Sequence, residues 1–109
     1  MYCVDFEAGD KNYRLRMDIM ATIALEKQLG CNPLAIFGDG DKLPTITAMI
    51  HILHASLQAM QHGITVNDAA RIFEKWLADG HAPTDFLPII IDIYKASGII
   101  KPDADEKNV

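Results

Sequence analysis

The chain has 109 residues, half of them hydrophobic and 23% charged, which suits one domain with one core and excludes a disordered segment. Its net charge of −5, with no basic run, argues against a grip on nucleic-acid phosphates. No basic-then-apolar leader opens it, no stretch nears the roughly 20 apolar residues of a membrane span, and its cysteines, Cys3 and Cys31, fit no metal or redox spacing, so the expectation is a cytosolic protein with reduced thiols.

Residues 1–17 read as a β-hairpin. Tyr2, Val4 and Phe6 alternate with polar residues, as do Tyr13, Leu15 and Met17, and Gly9-Asp10 supplies a two-residue turn. That turn sets Phe6 opposite Tyr13, Val4 opposite Leu15 and, on the other face, Asp5 opposite Arg14, a favourable cross-strand pair. A lone hairpin is marginal in water, so its apolar face must rest on the helices downstream.

A first helix is predicted from an Asp18 N-cap to Gly30, with Ile19, Ile23, Leu25 and Leu29 on its inward arc and Glu26 caught among them. A short helical turn comes next over Pro33 to Phe37, capped by Asn32, and GDGDK, residues 38–42, reads as a loop. The second helix is predicted from about Pro44 to His62. Its apolar stripe (Ile46, Met49, Ile50, Leu53, Leu57, Met60) is widened by Ala48, Ile52, Ala55 and Ala59, the pattern of a central helix. Only Thr47, His51, His54, Gln58, Gln61 and His62 keep a polar strip on it.

The third helix starts after Thr65, with Thr65 or Asn67 as cap and Asp68 in the first turn, and points Ala69, Ile72, Phe73, Trp76 and Leu77 inward before stopping at Gly80. The fourth comes after Pro83, with Thr84 or Asp85 as cap and Pro88 in its first turn, where a missing N–H costs little. It carries Phe86, Ile89, Ile90, Ile93 and Tyr94 on one broad face and ends at Gly98, after which Ile99-Ile100 can pack back. The fold expected is mainly α (α+β): an N-terminal β-hairpin packed on a bundle of four main helices with a short extra helical turn. It forms one domain over residues 1–100, with a mobile polar tail over 101–109.

Chemistry is sparse. His51 and His54 stand three apart on one helix face and could share a metal, but no third ligand is named by any spacing. Glu26 as a general base would need burial, a partner and a pocket, and no nucleophile or second carboxylate is tied to it. The alternative is an edge carboxylate bonded to a helix N-terminus or to Arg14 or Arg16. GDGDK lacks the order of a phosphate-binding loop and the closing glutamate of a calcium loop. Helices three and four imitate a helix-turn-helix, yet the fourth begins Asp85-Phe86-Leu87, poor residues for reading DNA. The expectation is no enzyme, no cofactor and no metal. What remains is the apolar stretch FLPIIIDIY of the fourth helix with Ile99-Ile100, which is either ordinary core or surface that marks a partner or self-association.

Residues 13–39, YRLRMDIMATIALEKQLGCNPLAIFGD, resemble the start of tail assembly chaperones of long-tailed phages of Gram-positive hosts, and are similar to tail proteins of gene-transfer agents. The resemblance lies in a YxLR strand (Tyr13, Leu15, Arg16), a helix with LExxLG (Leu25, Glu26, Leu29, Gly30) and an NPL-aromatic turn (Asn32, Pro33, Leu34, Phe37). It continues through ILHASLQAMQHGITVNDA and WLADGHAPTDFLPIIIDIYKASGII to Ile100.

It implies a non-enzymatic chaperone, working in the host cytoplasm during virion assembly and absent from the mature virion. The chaperone would hold the long helical tape-measure protein in solution. In that pattern Leu25, Glu26, Leu29 and Gly30 pack an interaction helix. The resemblance also implies a longer product of a minus-one frameshift as a second partner; the codons GAA AAA AAC for Glu106-Lys107-Asn108 would contain a slippery heptamer. Surface logic nominates His51, His54 and Gln58 on the second helix, and Phe86, Ile90 and Tyr94 on the fourth, as partner-binding residues. Set against this reading is a small regulatory or protein-interaction module, DNA binding included, which salt-sensitive binding to duplex DNA would favour.

Overall fold

The computed structural model describes residues 3–37, 43–59 and 61–101. The predicted loop 38–42, Met60 and the tail from 102 onward lie outside the described residues.

Strands β1 (Val4–Ala8) and β2 (Lys11–Leu15) pair antiparallel in the expected register: Val4 with Leu15, Asp5 with Arg14, Phe6 with Tyr13. Gly9 takes φ 63° at the first turn position, a conformation that favours glycine. The alternation then decides the faces. Phe6, Ala8, Tyr13 and Leu15 are buried, while the Arg14 and Asp5 side chains meet at 4.0 Å in open solvent, where such a pair contributes little.

Four α-helices come after the hairpin: α1 (Ile19–Leu29), α2 (Ile46–Leu57), α3 (Val66–Ala78) and α4 (Phe86–Ala96). Their ends obey local chemistry. The Asp18 carboxylate accepts from the Ala21 N–H at 2.7 Å, and Gly30 closes α1 in the left-handed region with its N–H on the Glu26 carbonyl. A 3₁₀ turn over Pro33–Phe37 starts where Asn32 Oδ1 accepts from the Leu34 N–H. Thr45 caps α2 through Ala48. Thr65 and Asp68 form a reciprocal capping box at α3. Asp85 holds the entry to α4 by accepting from the Ala82 N–H at 2.8 Å, after a second 3₁₀ turn at Pro83–Asp85. At its other end, Ile99 N–H reaches the Tyr94 carbonyl and Gly98 N–H that of Lys95, the two bonds of a Schellman stop. This stop folds Ile99 and Ile100 back against the core.

The core lies where the hairpin's inner face, α2, α3 and α4 converge. Phe6, Phe73, Trp76 and Phe86 pack ring on ring with centroids 5.4–6.0 Å apart, and His81 stacks flat on Trp76 at 4.5 Å. Such pairs add roughly 0.5–1.5 kcal/mol each beyond their burial. Helix α2 is central, packed by α1, α3, β2 and α4. Three hydrogen bonds stitch the hairpin down: Gly9 N–H to Asp79 Oδ2 (2.8 Å), Arg16 N–H to the Ser56 carbonyl (2.9 Å) and Met17 N–H to Ser97 Oγ (2.9 Å).

Three expectations about helices change. Helix α2 is shorter than predicted, from Ile46 instead of Pro44 to Leu57 instead of His62. Beyond it Gln61 N–H still bonds the Leu57 carbonyl, and Gly63 takes φ 86°. Ile46, placed on the inward stripe by spacing, is 51% exposed because it occupies the first turn, beyond the reach of the core. In α1 the inward arc is Leu25 with half-buried Ala21 and Leu29, while Ile19 and Ile23 face out.

Candidate partner interface

Helix α1 has apolar residues on opposite sides. At 100° per residue, Ile19, Met20 and Ile23 lie across the helix from Leu25. Burying Leu25 therefore commits the other three to solvent, and they are 71%, 68% and 39% exposed. Exposed apolar side chains clustered on one helix face make that face a candidate for contact with a partner. The sequence held a signal for this: more than half of the circumference of α1 is apolar, more than one core contact can cover.

Beside this helix runs a groove of about 340 Å³ between the C-terminal end of α1, the 3₁₀ turn and the first turns of α2. Leu29, Ile36, Leu43 and Ala48 supply its apolar wall, with Thr47 and His51 toward solvent. A second groove of about 410 Å³ lies between α2 and α3, where Ile46, Ile50 and Leu77 meet Arg71 and Glu74.

The structure divides the predicted histidine strip between two sets of contacts. His51 Nδ1 lies 3.1 Å from Gln28 Oε1 and joins α2 to α1. His54 Nε2, at 2.9 Å, and Gln58 Nε2, at 2.8 Å, both reach the Ile64 carbonyl in the link to α3. All three residues are half-buried, and the last two hold the α2–α3 connection in place. Among the described residues no group of three or more His, Cys, Asp or Glu side chains is placed to hold a metal.

Phe86, Ile90 and Tyr94 are not surface residues. Each is fully buried, because α4 is covered by β1 and α2. Tyr94 donates its hydroxyl proton to the Pro33 carbonyl at 3.0 Å and meets Phe37 edge-on, which fastens the 3₁₀ turn to α4. Burial, reinforced by the nearby Cys31 thiol, pushes the Tyr94 phenol well above its ordinary range, so it stays a neutral donor. On the outer side of α4, Ile91 is 38% exposed, Pro88 is exposed, and Leu87 and Ile89 are half-buried.

Glu26, expected among buried neighbours, is exposed. It projects between the two apolar arcs of α1 and does not enter either one. Neither suggested arginine pairs with it among the described residues: Arg14 faces Asp5, and Arg16 Nε is buried without a partner. Of the packing motif, Leu25 is buried, Leu29 half-buried, and Gly30 serves as the left-handed stop.

The surface thus offers apolar contact: an outward face on α1, an adjoining groove, and no assembled acid–base pair among the described residues. Among these residues no helix is long and apolar enough to cross a membrane. A family model described as "Family of unknown function (DUF6096)" matches residues 3–108. No curated protein and no solved structure matches the chain.

Proposed function

Since the chain belongs to DUF6096, a family of unknown function, its role rests on its own residues, and we propose that it is a tail assembly chaperone of a long-tailed phage. It binds apolar helical segments of the tape-measure protein and keeps them in solution while the tail tube assembles in the host cytoplasm. The observation that carries this reading is the outward apolar face of α1, Ile19, Met20 and Ile23, opposite Leu25 on a helix anchored in the fold. That helix lies within the stretch whose YxLR, LExxLG and NPL order resembles the chaperones.

A partner helix laid against such a face exchanges water for contact on both sides, and each fully buried aliphatic side chain contributes about 1.5–3 kcal/mol. The exposed face of α1 and its neighbouring groove replace α4 as the candidate surface. A frameshifted longer form of the same chain is a second partner under this reading.

The test reads the neighbouring genes for one with a long helical product and co-expresses that product with the chain; a neighbourhood without such a gene overturns the reading. Soluble product only in the presence of the chain, with solubility lost for the Ile19→Gln/Ile23→Gln double variant, supports the role. Product that is equally insoluble with and without the chain overturns it. The DNA for Asp103 to Val109 gives an independent check: a slippery heptamer with an overlapping minus-one frame belongs with the chaperone reading.

A further inference from the structure

The outer apolar arc of α1 ends in a charge. At 100° per residue, Ile19, Met20, Ile23 and the exposed Ala24 span about 140° of the helix surface. Lys27, also exposed, falls near the middle of that arc, one turn past Ile23 and two past Met20. Glu26 falls outside the arc's edge, about a quarter-turn around the helix from Lys27. A lysine in such a place lays its four-carbon stem along the apolar strip and holds its ammonium group in water at the end. A helix seated along the arc therefore meets aliphatic side chains and then a cation. Its complement is an apolar stripe at i, i+3, i+4 and i+7 with a carboxylate one turn beyond, where a second cation would be repelled.

A second copy of the chain does not supply that complement. Packed parallel, arc on arc, it sets Lys27 against Lys27. Packed antiparallel, it carries each Lys27 past the other copy's Ile19 to the N-terminus of α1, the positive end of the helix dipole, where the Asp18 carboxylate already accepts from the Ala21 N–H.

We propose that the outer face of α1 seats a helical segment of the partner whose apolar stripe ends in an acidic residue, and that Lys27 selects that segment by pairing with its carboxylate. This rests on the chaperone reading and names the class of tape-measure segment held.

The probes are three synthetic helices titrated against the full chain. Each has leucines at i, i+3, i+4 and i+7 on an alanine–glutamine background, with glutamate, glutamine or lysine at both i−4 and i+11, so that either docking direction brings one of these to Lys27. The glutamate helix should bind about three- to tenfold tighter than the lysine helix. Lys27→Glu should lower that ratio by about tenfold. Lys11→Glu makes the same change of net charge on the exposed end of β2 and should leave the ratio within about twofold. Raising salt from about 0.05 to 0.5 M should shrink the wild-type ratio and leave the affinity for the glutamine helix within about twofold. Ile23→Gln should weaken all three helices by about fivefold or more.

A ratio that Lys27→Glu leaves in place, an equal change with Lys11→Glu, binding untouched by Ile23→Gln, or no binding by the wild type overturns the assignment. Light scattering that shows a wild-type dimer dispersed by Ile23→Gln also overturns it and gives the face to a second copy. The two readings fail separately. A chain that solubilises the tape-measure product without a preference set by Lys27 loses the selection and keeps the function; a preference set by Lys27 in a chain that solubilises nothing keeps the selection and loses the function.

Discussion

The hairpin end of the molecule and its α1 end are built on opposite terms. At the hairpin end, Phe6, Phe73, Trp76 and Phe86 are all nearly or wholly buried, and Asp79 pins the turn through Gly9. At the other end α1 buries Leu25 alone and exposes Ile19, Met20 and Ile23. One end is closed by aromatic packing. The other leaves apolar area unspent on the fold, which is what a protein that binds apolar helices requires. A closed core supports an open face: α1 can offer its outer side because stability is concentrated elsewhere.

The contrast is broken most severely at Phe86. Phe86→Ala opens a cavity where Phe6, Phe73 and Trp76 meet, and should cost about 3–5 kcal/mol in denaturant unfolding, close to the whole stability of a small domain. A loss under about 1 kcal/mol, the size of an ordinary point substitution, would show that the aromatic end does not carry the fold. Tyr94→Phe is smaller and more specific. It leaves the Pro33 carbonyl without its buried donor and should cost about 1–3 kcal/mol. Because the phenol's pKa is raised in the fold, its share of stability is fully present below the unfolded-state value, roughly 10, and is lost as pH rises through the higher folded value. The variant should therefore remove part of the alkaline decline in stability. An unaltered alkaline limb would place the phenol in water.

How much of each end could be read in the sequence divides along the same line. The hairpin was legible because alternation, the Gly9-Asp10 turn and the Asp5–Arg14 pair all select one register. The caps Asp18 and Asn32 were legible because capping is local chemistry, whereas at α3 the spacing left Thr65 and Asn67 open and put Asp68 in the first turn, and the structure makes Thr65 the cap with Asp68 closing the box. Helix α1 misled because its apolar residues cover both sides, and spacing alone does not say which side meets the core. Helix α4 misled for the opposite reason. Its excess of isoleucine and phenylalanine suggested surface, but the hairpin and α2 close over Phe86, Ile90 and Tyr94 through contacts far apart in sequence. The Tyr94–Pro33 bond spans 61 positions and has no local signature.

At the α3 start, Thr65→Ala should cost about 0.5–2 kcal/mol by removing the cap. The Asp68 carboxylate is held below its ordinary value of 3.8 first by the Thr65 N–H and then by the Thr65 hydroxyl. A depressed acid contributes stability above its unfolded value and loses that contribution as pH falls through its folded value. Asp68→Asn should flatten the acid limb of the stability curve below about pH 4. A curve that keeps the wild-type slope there would remove Asp68 from the linkage.

The smallest effect on stability belongs to α1, and it separates the two ends most sharply. Ile23→Gln replaces a side chain that is 39% exposed, at a helix position where glutamine is well tolerated, so unfolding should shift by no more than about 0.5 kcal/mol. Adding Ile19→Gln, at 71% exposed, should change little more. The same double variant should fail to keep the long helical partner in solution, because it removes two of the three apolar side chains on the outer face. Lost stability with retained solubilisation would mean that the α1 face belongs to the fold and that the partner binds elsewhere. Unchanged stability with lost solubilisation is the result that a face set aside for binding must give.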